Sequence, residues 1–196
     1  ATWPGLNTDR LNPLQNRAIQ GLYSPGSTFK IVVAVAGLEE GVITPDFRVS
    51  CGGGANFYGR FFQCLKAHGS LDLRRGIEQS CNTYFYTVGN MLGVDRIHKW
   101  GTLLGLGEKT GIDLPDEVEG LVPSTEWKRR RYHDKWYAGE TISVSIGQGQ
   151  VSLTPVSLPA SRSGTAGDAG RVPSMVTVKP GDGAETLPAA SVARNV

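Results

Sequence analysis

The sequence predicts an α+β domain in which helices predominate. A run of apolar residues from Ile31 to Leu38 follows Gly26-Ser27-Thr28, a start that is typical of a buried helix. A glycine- and aromatic-rich stretch over residues 42–67 indicates a loop that contains a short hairpin. All phenylalanine, tyrosine and tryptophan residues lie between Trp3 and Tyr137, so we expect the hydrophobic core in that part of the chain.

The individual elements are predicted in chain order. Residues 1–24 are polar and interrupted by prolines, which predicts an irregular segment. The first long helix is expected to end at Gly41. Further helices are expected over residues 72–79, 83–92, 95–104 and 124–131. Residues 142–146 alternate between apolar residues and serine, which indicates a half-buried strand or an extended segment. Thr154-Pro155 has the pattern of a helix start.

The overall composition argues against nucleic-acid binding and against a membrane span. The formal charge is +2, from 20 basic and 18 acidic residues, whereas a nucleic-acid binder presents a strongly basic face. We interpret the basic run at residues 128–131 as a solvated surface turn and expect no nucleic-acid partner. The longest apolar stretch, Ile31 to Leu38, is far short of the roughly 20 residues that cross a bilayer. The chain does not begin like a signal peptide, so we expect any anchor to lie upstream of it.

The spacing of Ser27 and Lys30 permits a serine nucleophile with a lysine base. Residues i and i+3 share one face of a helix, so the amine can reach the hydroxyl. The lysine must be neutral to accept a proton, and lowering its pKa from about 10.4 to about 7 requires roughly 4 kcal/mol of differential environment. A serine at a helix start also has an unpaired backbone N–H that can donate to a developing oxyanion. A capping serine followed by a surface lysine has the same spacing, so the pair alone does not establish the chemistry.

Several further motifs accompany this pair. Ser80-Cys81-Asn82 lies at the predicted junction between two helices. The others are N-R-A-I-Q-G-L-Y at residues 16–23, T-G-I-D-L-P at 110–115, W-Y-A-G-E-T at 136–141 and I-G-Q-G at 146–149. Together they resemble the elongation-type class B penicillin-binding proteins, the penicillin-binding protein 2 group, over roughly residues 7–158.

The resemblance implies a fold and an activity. The fold would be the α+β fold of the serine β-lactamase and transpeptidase superfamily, represented mostly by its helical part with an incomplete antiparallel sheet. The activity would be that of a peptidoglycan D,D-transpeptidase of cell elongation, which cross-links stem peptides ending in D-Ala-D-Ala and is the target of β-lactam antibiotics. The alternatives are a serine β-lactamase, which shares S-x-x-K and S-x-N, and a catalytically inactive, zinc-stapled penicillin-binding remnant.

The resemblance also implies the catalytic residues. Ser27 would be acylated by the stem peptide and expel the terminal D-Ala, and Lys30 would deprotonate Ser27. Ser80 would relay a proton between Lys30 and the leaving or attacking nitrogen. Asn82 would hold the substrate backbone and Lys30.

The family's third motif, a K-[ST]-G strand, has two imitations in this chain. Lys109-Thr110-Gly111 has the letters but belongs to the T-G-I-D-L-P loop, so we interpret it as a decoy. Residues 162–166, R-S-G-T-A, follow Thr154-Pro155 too closely to be the strand. We therefore predict a partial transpeptidase domain over residues 1–158 with little or no activity by itself. Residues 159–196 are expected to form a divergent, poorly ordered tail.

Three cysteines and one histidine are crowded enough to bind a metal. The set is Cys51, Cys64, His68 and Cys81, which has the Cys₃His composition of a closed zinc site. The alternative is a Cys51–Cys64 disulfide across a hairpin, with Cys81 buried as a small apolar residue. Some members of the resembled group carry zinc between the loop after the nucleophile helix and the middle residue of S-x-N, which favours Zn²⁺. A metal held by Cys81 would tie the junction of Ser80 and Asn82 to the loop at residues 51–68. Its role would be structural, with no open position for water.

The resemblance further implies where the protein works and with what. We expect it at the periplasmic face of the bacterial inner membrane, anchored by an upstream segment. The expected partners are peptidoglycan stem peptides, β-lactam antibiotics and a membrane glycosyltransferase of the elongation machinery. His98 and His133 have no partner pattern, and we predict no role for them in the mechanism.

Overall fold

The computed structural model describes residues 2–157. The α-helices are α1 (Trp3–Asn7), α2 (Arg17–Gln20), α3 (Lys30–Glu39), α4 (Leu73–Glu78), α5 (Asn82–Leu92), α6 (Val94–Leu103), α7 (Thr125–Tyr132) and α8 (Ala138–Val144). Two strands, β1 (Val49–Phe57) and β2 (Arg60–Leu71), form an antiparallel hairpin. Short 3₁₀ helices cover Gly26–Phe29 and Pro155–Ser157. The α+β organisation with a predominance of helices is confirmed, and none of the described helices is long and apolar enough to cross a membrane.

Helix α3 lies in the hydrophobic core. It packs against α5 and α6, and Val33 on it is fully buried. Gly37 permits the close approach of its neighbours, because a Cβ atom there would lie 3.0 Å from Ile43 and 3.1 Å from Val88 of α5. The helix predicted for this apolar run is confirmed, and Gly41 follows its C-terminal end with a φ of 62°.

The hairpin is longer than the short one that the sequence predicts. Its two-residue turn, Tyr58-Gly59, has positive φ at both positions, as a tight antiparallel turn requires. The rings of Phe57 and Phe62 contact the ring of Tyr86 and so attach the hairpin to α5. This packing places the cysteine-bearing strands beside the start of α5.

The strand predicted for residues 142–146 is wrong. Residues 142–144 belong to α8, and Ser145 follows its C-terminal end. The Glu140 side chain accepts a hydrogen bond from the Tyr137 backbone N–H, which favours a helix start there. Ser145 is itself buried, with its hydroxyl donating to the Ile142 carbonyl, so the serines do not mark a solvent-facing side.

The basic run is not a solvated turn throughout. It lies on α7, and Lys128 is only 5% exposed while residues 129–131 are exposed. The Lys128 Nζ atom donates to both carboxylate oxygens of Glu140, at 2.8 and 2.6 Å. The prediction therefore fails at Lys128 because tertiary packing buries its side chain beside a carboxylate that pairs with its charge.

The structure contains the other helices that the sequence predicts. The helices expected over residues 72–79, 83–92, 95–104 and 124–131 are confirmed as α4 to α7. The N-terminal segment contains the short helices α1 and α2, which the sequence does not predict. Thr154-Pro155 begins a 3₁₀ turn, whereas the R-S-G-T-A stretch and the predicted tail lie outside the described residues.

Candidate active site

Ser27 lies on a tight turn that leads into α3. Gly26–Phe29 form a 3₁₀ helix, in which side chains at i and i+3 eclipse one another. Lys30, the first residue of α3, is therefore close to Ser27, and its Nζ atom lies 3.2 Å from the Ser27 Oγ atom. The sequence predicts a capped α-helical start here, but the turn is 3₁₀ and has no side-chain cap.

Ser80 lies between α4 and α5, as the sequence predicts. Its φ of 51° is in the left-handed region, which lets the chain change direction sharply after α4. The Ser80 hydroxyl donates to the Ser27 Oγ atom at 2.9 Å. The Ser80 Oγ atom and carbonyl oxygen both accept from Lys30 Nζ, at 2.9 and 2.7 Å.

Asn82 is the first residue of α5 and completes the surroundings of the amine. Its Oδ1 atom accepts a hydrogen bond from Lys30 Nζ at 2.7 Å. The structure thus brings together all the residues that the sequence nominates for catalysis. An ammonium group has three N–H donors, and the Lys30 amine has four oxygen neighbours. At any moment one of these oxygens therefore receives no hydrogen bond from Lys30 and can bond to another group.

Burial lowers the pKa of Lys30 below its ordinary value. The side chain is 2% exposed, and desolvation disfavours the charged form of an amine. Ionisation of Cys64 or Cys81 nearby would raise the pKa of Lys30, but the effect of burial prevails. A lysine with a lowered pKa has the property that a proton acceptor for Ser27 requires.

Gly147 supports the nucleophile turn and is not among the residues predicted for the site. Its carbonyl oxygen accepts a hydrogen bond from the Gly26 N–H at 2.9 Å. The φ of Gly147 is 70°, and a Cβ atom there would lie 2.2 Å from the Gly26 carbonyl oxygen. The I-G-Q-G motif at residues 146–149 contributes to the family resemblance, but only the structure shows that this segment contacts the residue before Ser27.

The predicted metal-binding residues also come together, next to the catalytic junction. The ligand atoms of Cys51, Cys64, His68 and Cys81 all lie within 4.8 Å of one another. The His68 Nδ1 atom is 3.5 Å from the Cys51 sulfur and 3.6 Å from the Cys64 sulfur. The sulfurs of Cys64 and Cys81 are 3.9 Å apart. All three thiols are buried and free, so no disulfide joins them in the described part of the chain.

This donor set fits a tetrahedral zinc ion. Zinc–sulfur bonds of about 2.3 Å place two sulfur ligands of a tetrahedral site about 3.8 Å apart, close to the observed Cys64–Cys81 separation. Burial raises the pKa of Cys81 to about 12. Burial also acts to raise the pKa of Cys51, but hydrogen bonds with Thr83 and His68 outweigh it and lower that pKa to about 6. A cation at the centre of the set would offset the cost of burying a Cys81 thiolate.

The K-T-G imitation does not lie on a strand. Residues 109–111 are irregular, and Glu117 accepts hydrogen bonds from the backbone N–H groups of Thr110 and Gly111 and from the Thr110 hydroxyl. Glu117 therefore holds this loop in place, which agrees with its interpretation as a decoy. The His98 ring lies against the Val122 carbonyl at 2.7 Å, and His133 follows the end of α7 in a left-handed conformation.

Comparison with known proteins identifies the family. Residues 4–160 match the model of the penicillin-binding protein transpeptidase domain. The chain belongs to this family. It is 44% identical over 158 residues to peptidoglycan D,D-transpeptidase MrdA of Acinetobacter baumannii, a match that covers 79% of this chain and 24% of that protein. It therefore spans about a quarter of the length of this curated relative.

Solved structures of penicillin-binding proteins have the same fold. Pseudomonas aeruginosa PBP2 in complex with WCK 5153 matches with a TM-score of 0.77 and 40% identity, over 80% of this chain and 35% of that chain. A peptidoglycan synthase complex, described for the coordination of polymerization and crosslinking, matches with a TM-score of 0.72 and 40% identity. That match covers 79% of this chain and 27% of the other. The resemblance to penicillin-binding protein 2 and the expected fold are confirmed.

Proposed function

We propose that this chain carries the acylated serine of a peptidoglycan D,D-transpeptidase of cell elongation. The observation on which the proposal rests is the network in which Lys30 Nζ contacts Ser27 at 3.2 Å, Ser80 at 2.9 Å and Asn82 at 2.7 Å. The name of the Acinetobacter baumannii relative supports the same activity. The substrate would be a stem peptide that ends in D-Ala-D-Ala.

In the first step, the Ser27 Oγ atom attacks the carbonyl carbon of the penultimate D-alanine. As the C–O bond forms, the hydroxyl proton passes to the neutral amine of Lys30. The Ser27 N–H, at the start of the 3₁₀ helix, has no earlier turn to bond with and can donate to the developing oxyanion. Cleavage of the C–N bond then releases the terminal D-alanine, whose nitrogen takes a proton from the Ser80 hydroxyl, and Lys30 replaces that proton.

In the second step, an amine of a neighbouring stem peptide attacks the Ser27 ester. Its proton passes through the Ser80 hydroxyl to Lys30 and finally returns to Ser27 as the ester bond breaks. The new C–N bond is the peptide cross-link. Asn82 holds Lys30 through its Oδ1 atom, and its amide nitrogen has two donors, for Tyr86 and for the substrate backbone.

A structural zinc ion is part of the proposal. Cys51, Cys64, His68 and Cys81 would hold it, and three thiolates and one imidazole would leave no open position for water. The ion would supply a cross-link between the hairpin and the Ser80–Asn82 junction. In this way it would keep the Ser80 hydroxyl and the Asn82 amide at their observed distances from Lys30.

We also propose a cellular setting that the family supports. The protein would act at the periplasmic face of the bacterial inner membrane, where stem peptides are exposed. β-Lactam antibiotics would acylate Ser27 in place of the stem peptide, in keeping with the name of the family. A membrane glycosyltransferase would be its partner, as the solved synthase complex that couples polymerization to crosslinking suggests by analogy.

Labelling of the purified chain with a fluorescent penicillin tests this function. We predict little or no transpeptidation by this partial domain, but a single acylation needs only the contacts among Ser27, Lys30 and Ser80. We therefore expect a stable adduct on Ser27, identified by mass spectrometry of the digested protein, and no adduct in Ser27→Ala. Thr28→Ala is the matched control, because the Thr28 hydroxyl is adjacent and exposed but donates to the Pro25 carbonyl at 2.7 Å. Rapid hydrolysis of the adduct would indicate a β-lactamase, and no adduct would indicate an inactive remnant. Either result contradicts the proposal for this chain.

A further inference from the structure

We propose that the ion pair between buried Lys128 and half-buried Glu140 is a positioning device for Ser27. It would hold both ends of the segment whose Gly147 carbonyl anchors the nucleophile turn. The catalytic consequence of this inference rests on the proposed function, but its structural part can be tested without any activity.

Lys128 is well enclosed for a charged side chain, whereas the Glu140 side chain is 28% exposed. Lys128 is 5% exposed, and its ammonium group lies 4.6 Å from the centre of the Tyr137 ring and 5.7 Å from that of Trp136. Besides Glu140, the acidic group near Lys128 is Asp134, whose carboxylate is 3.6 Å away and more exposed. Loss of Glu140 would leave the buried Lys128 charge with only the more exposed Asp134 carboxylate nearby, which is costly in a protein interior.

Glu140 connects this ammonium group to two backbone segments. Its carboxylate accepts from the Tyr137 N–H at 2.9 Å, at the first turn of α8. It also accepts from the Gln150 side chain at 3.5 Å, immediately after the I-G-Q-G residues. The single carboxylate therefore contacts the chain before and after residues 146–149, while Lys128 ties it to α7.

The segment held in this way contacts the residues that lead to Ser27. The Gly147 carbonyl accepts from the Gly26 N–H at 2.9 Å. Tyr23 and Leu153 exchange two backbone hydrogen bonds, each 2.9 Å long. A shift of α8 or of Gln150 is therefore transmitted to the nucleophile turn through three hydrogen bonds, although neither Lys128 nor Glu140 touches the reacting atoms.

Amide hydrogen exchange of Gly26 in the full chain tests the structural part. In Lys128→Met we expect the Gly26 N–H to exchange about tenfold faster or more, because its bond to Gly147 opens more often. The internal reference is the Gly76 N–H on α4, which packs against α3, α5 and β2. It donates to the Asp72 carbonyl at 2.8 Å, and its exchange is expected to be unchanged. Lys99→Met is the matched control, since it breaks the exposed Lys99–Glu40 pair and should leave Gly26 unaffected.

A double variant separates the loss of positioning from the cost of an unpaired charge. Lys128→Met with Glu140→Gln removes both charges and retains an oxygen for the Tyr137 N–H, so it should fold even where the single variant does not. Gly26 exchange in the double variant should still exceed that of the unmodified chain. Protection of Gly26 at the original level in either folded variant overturns the proposal.

Penicillin acylation tests the catalytic part. At saturating penicillin, the acylation rate of the folded Lys128 variant should fall about tenfold or more, because small displacements of a nucleophile are costly. The penicillin concentration for half-maximal rate should change less than about twofold, since Lys128 and Glu140 bond to one another, to Tyr137 and to Gln150 rather than to the Ser27 network. A changed half-maximal concentration with an unchanged maximal rate overturns this part. Absence of labelling in the unmodified chain contradicts the proposed function instead, and the Gly26 result then decides the inference.

Discussion

At the scale of single residues, the chemistry depends on the protonation state of Lys30. In the proposed mechanism its amine accepts the Ser27 proton only when it is neutral, and burial lowers its pKa below the ordinary 10.5. At pH values below the pKa of Lys30 the amine is protonated, so the acylation rate decreases as the pH is lowered. Above that pKa the amine is neutral and the rate reaches a plateau. The four oxygen neighbours then determine where the proton travels.

The first prediction is a rise of penicillin acylation with pH that has its midpoint below 10.5, in accord with the lowered pKa of Lys30. The rate would be measured with a fluorescent penicillin from about pH 5 to about pH 10, with circular dichroism confirming that the chain stays folded. Lys99→Met, a change of an exposed lysine, should leave the profile unchanged. A rate that is independent of pH across this range would show that Lys30 is not the proton acceptor.

A second prediction concerns Gly147 and its glycine-only conformation. Gly147→Ala would combine a φ of 70° with a Cβ atom 2.2 Å from the Gly26 carbonyl oxygen, so the turn before Ser27 must move. We expect a loss of about 2 kcal/mol or more in the free energy of unfolding, measured with urea.

Gly139→Ala is the control for this substitution. Gly139 lies in the first turn of α8, and its nearest neighbour for a Cβ atom is the Tyr58 ring at 3.9 Å, an ordinary contact. Alanine is favoured over glycine in a helix, so stability should be unchanged or slightly higher. Equal losses in the two variants would contradict the role assigned to the Gly147 contact.

At the scale of elements, the hairpin and the start of α5 form one unit around the four side chains that we propose to bind zinc. Cys51 lies on β1, Cys64 and His68 lie on β2, and Cys81 precedes α5. The aromatic contacts of Phe57 and Phe62 hold only the far end of the hairpin against α5. A metal would cross-link the other end of the hairpin to the start of α5, next to Ser80 and Asn82.

The third prediction is that the purified chain contains about one equivalent of zinc. A chelator should lower the melting temperature, because metal binding to a folded site stabilises that fold. His68→Ala should bind less zinc and lose most of the response to the chelator. His133→Asn is the matched control, since asparagine tolerates the left-handed φ of 55° at this exposed position. Less than about half an equivalent of zinc in the reduced chain would refute the metal site.

At the scale of the whole molecule, the core around α3 stabilises the fold and also fixes the positions of Ser27 and Lys30. Phe29 is fully buried and directly precedes Lys30 in the chain. The fourth prediction is that Phe29→Ala lowers the free energy of unfolding by about 3–5 kcal/mol. Ile31→Ala, at a position that is 51% exposed, should cost far less. Similar urea midpoints for the two variants would show that α3 is not packed as described.

Elements that depend on interactions between residues close together in the chain could be predicted from the sequence. Helices α4 and α7 could be predicted because their caps are local: Asp72 accepts from the Arg75 N–H, and Ser124 accepts from the Trp127 N–H. The strand predicted for residues 142–146 is wrong because a five-residue alternation does not separate a strand from a helix with a buried serine.

The sequence by itself determined the pairing of Ser27 with Lys30, since three residues of helical chain set that distance. It also indicated the family, and through that resemblance it nominated Ser80, Asn82 and the metal-binding side chains. Only the tertiary structure decided that the junction before α5 meets the start of α3 and that Gly147 carries the nucleophile turn. It also revealed that Lys128 is buried against Glu140. These contacts join residues far apart in the chain, and their formation depends on the packing of whole elements, which no local pattern encodes.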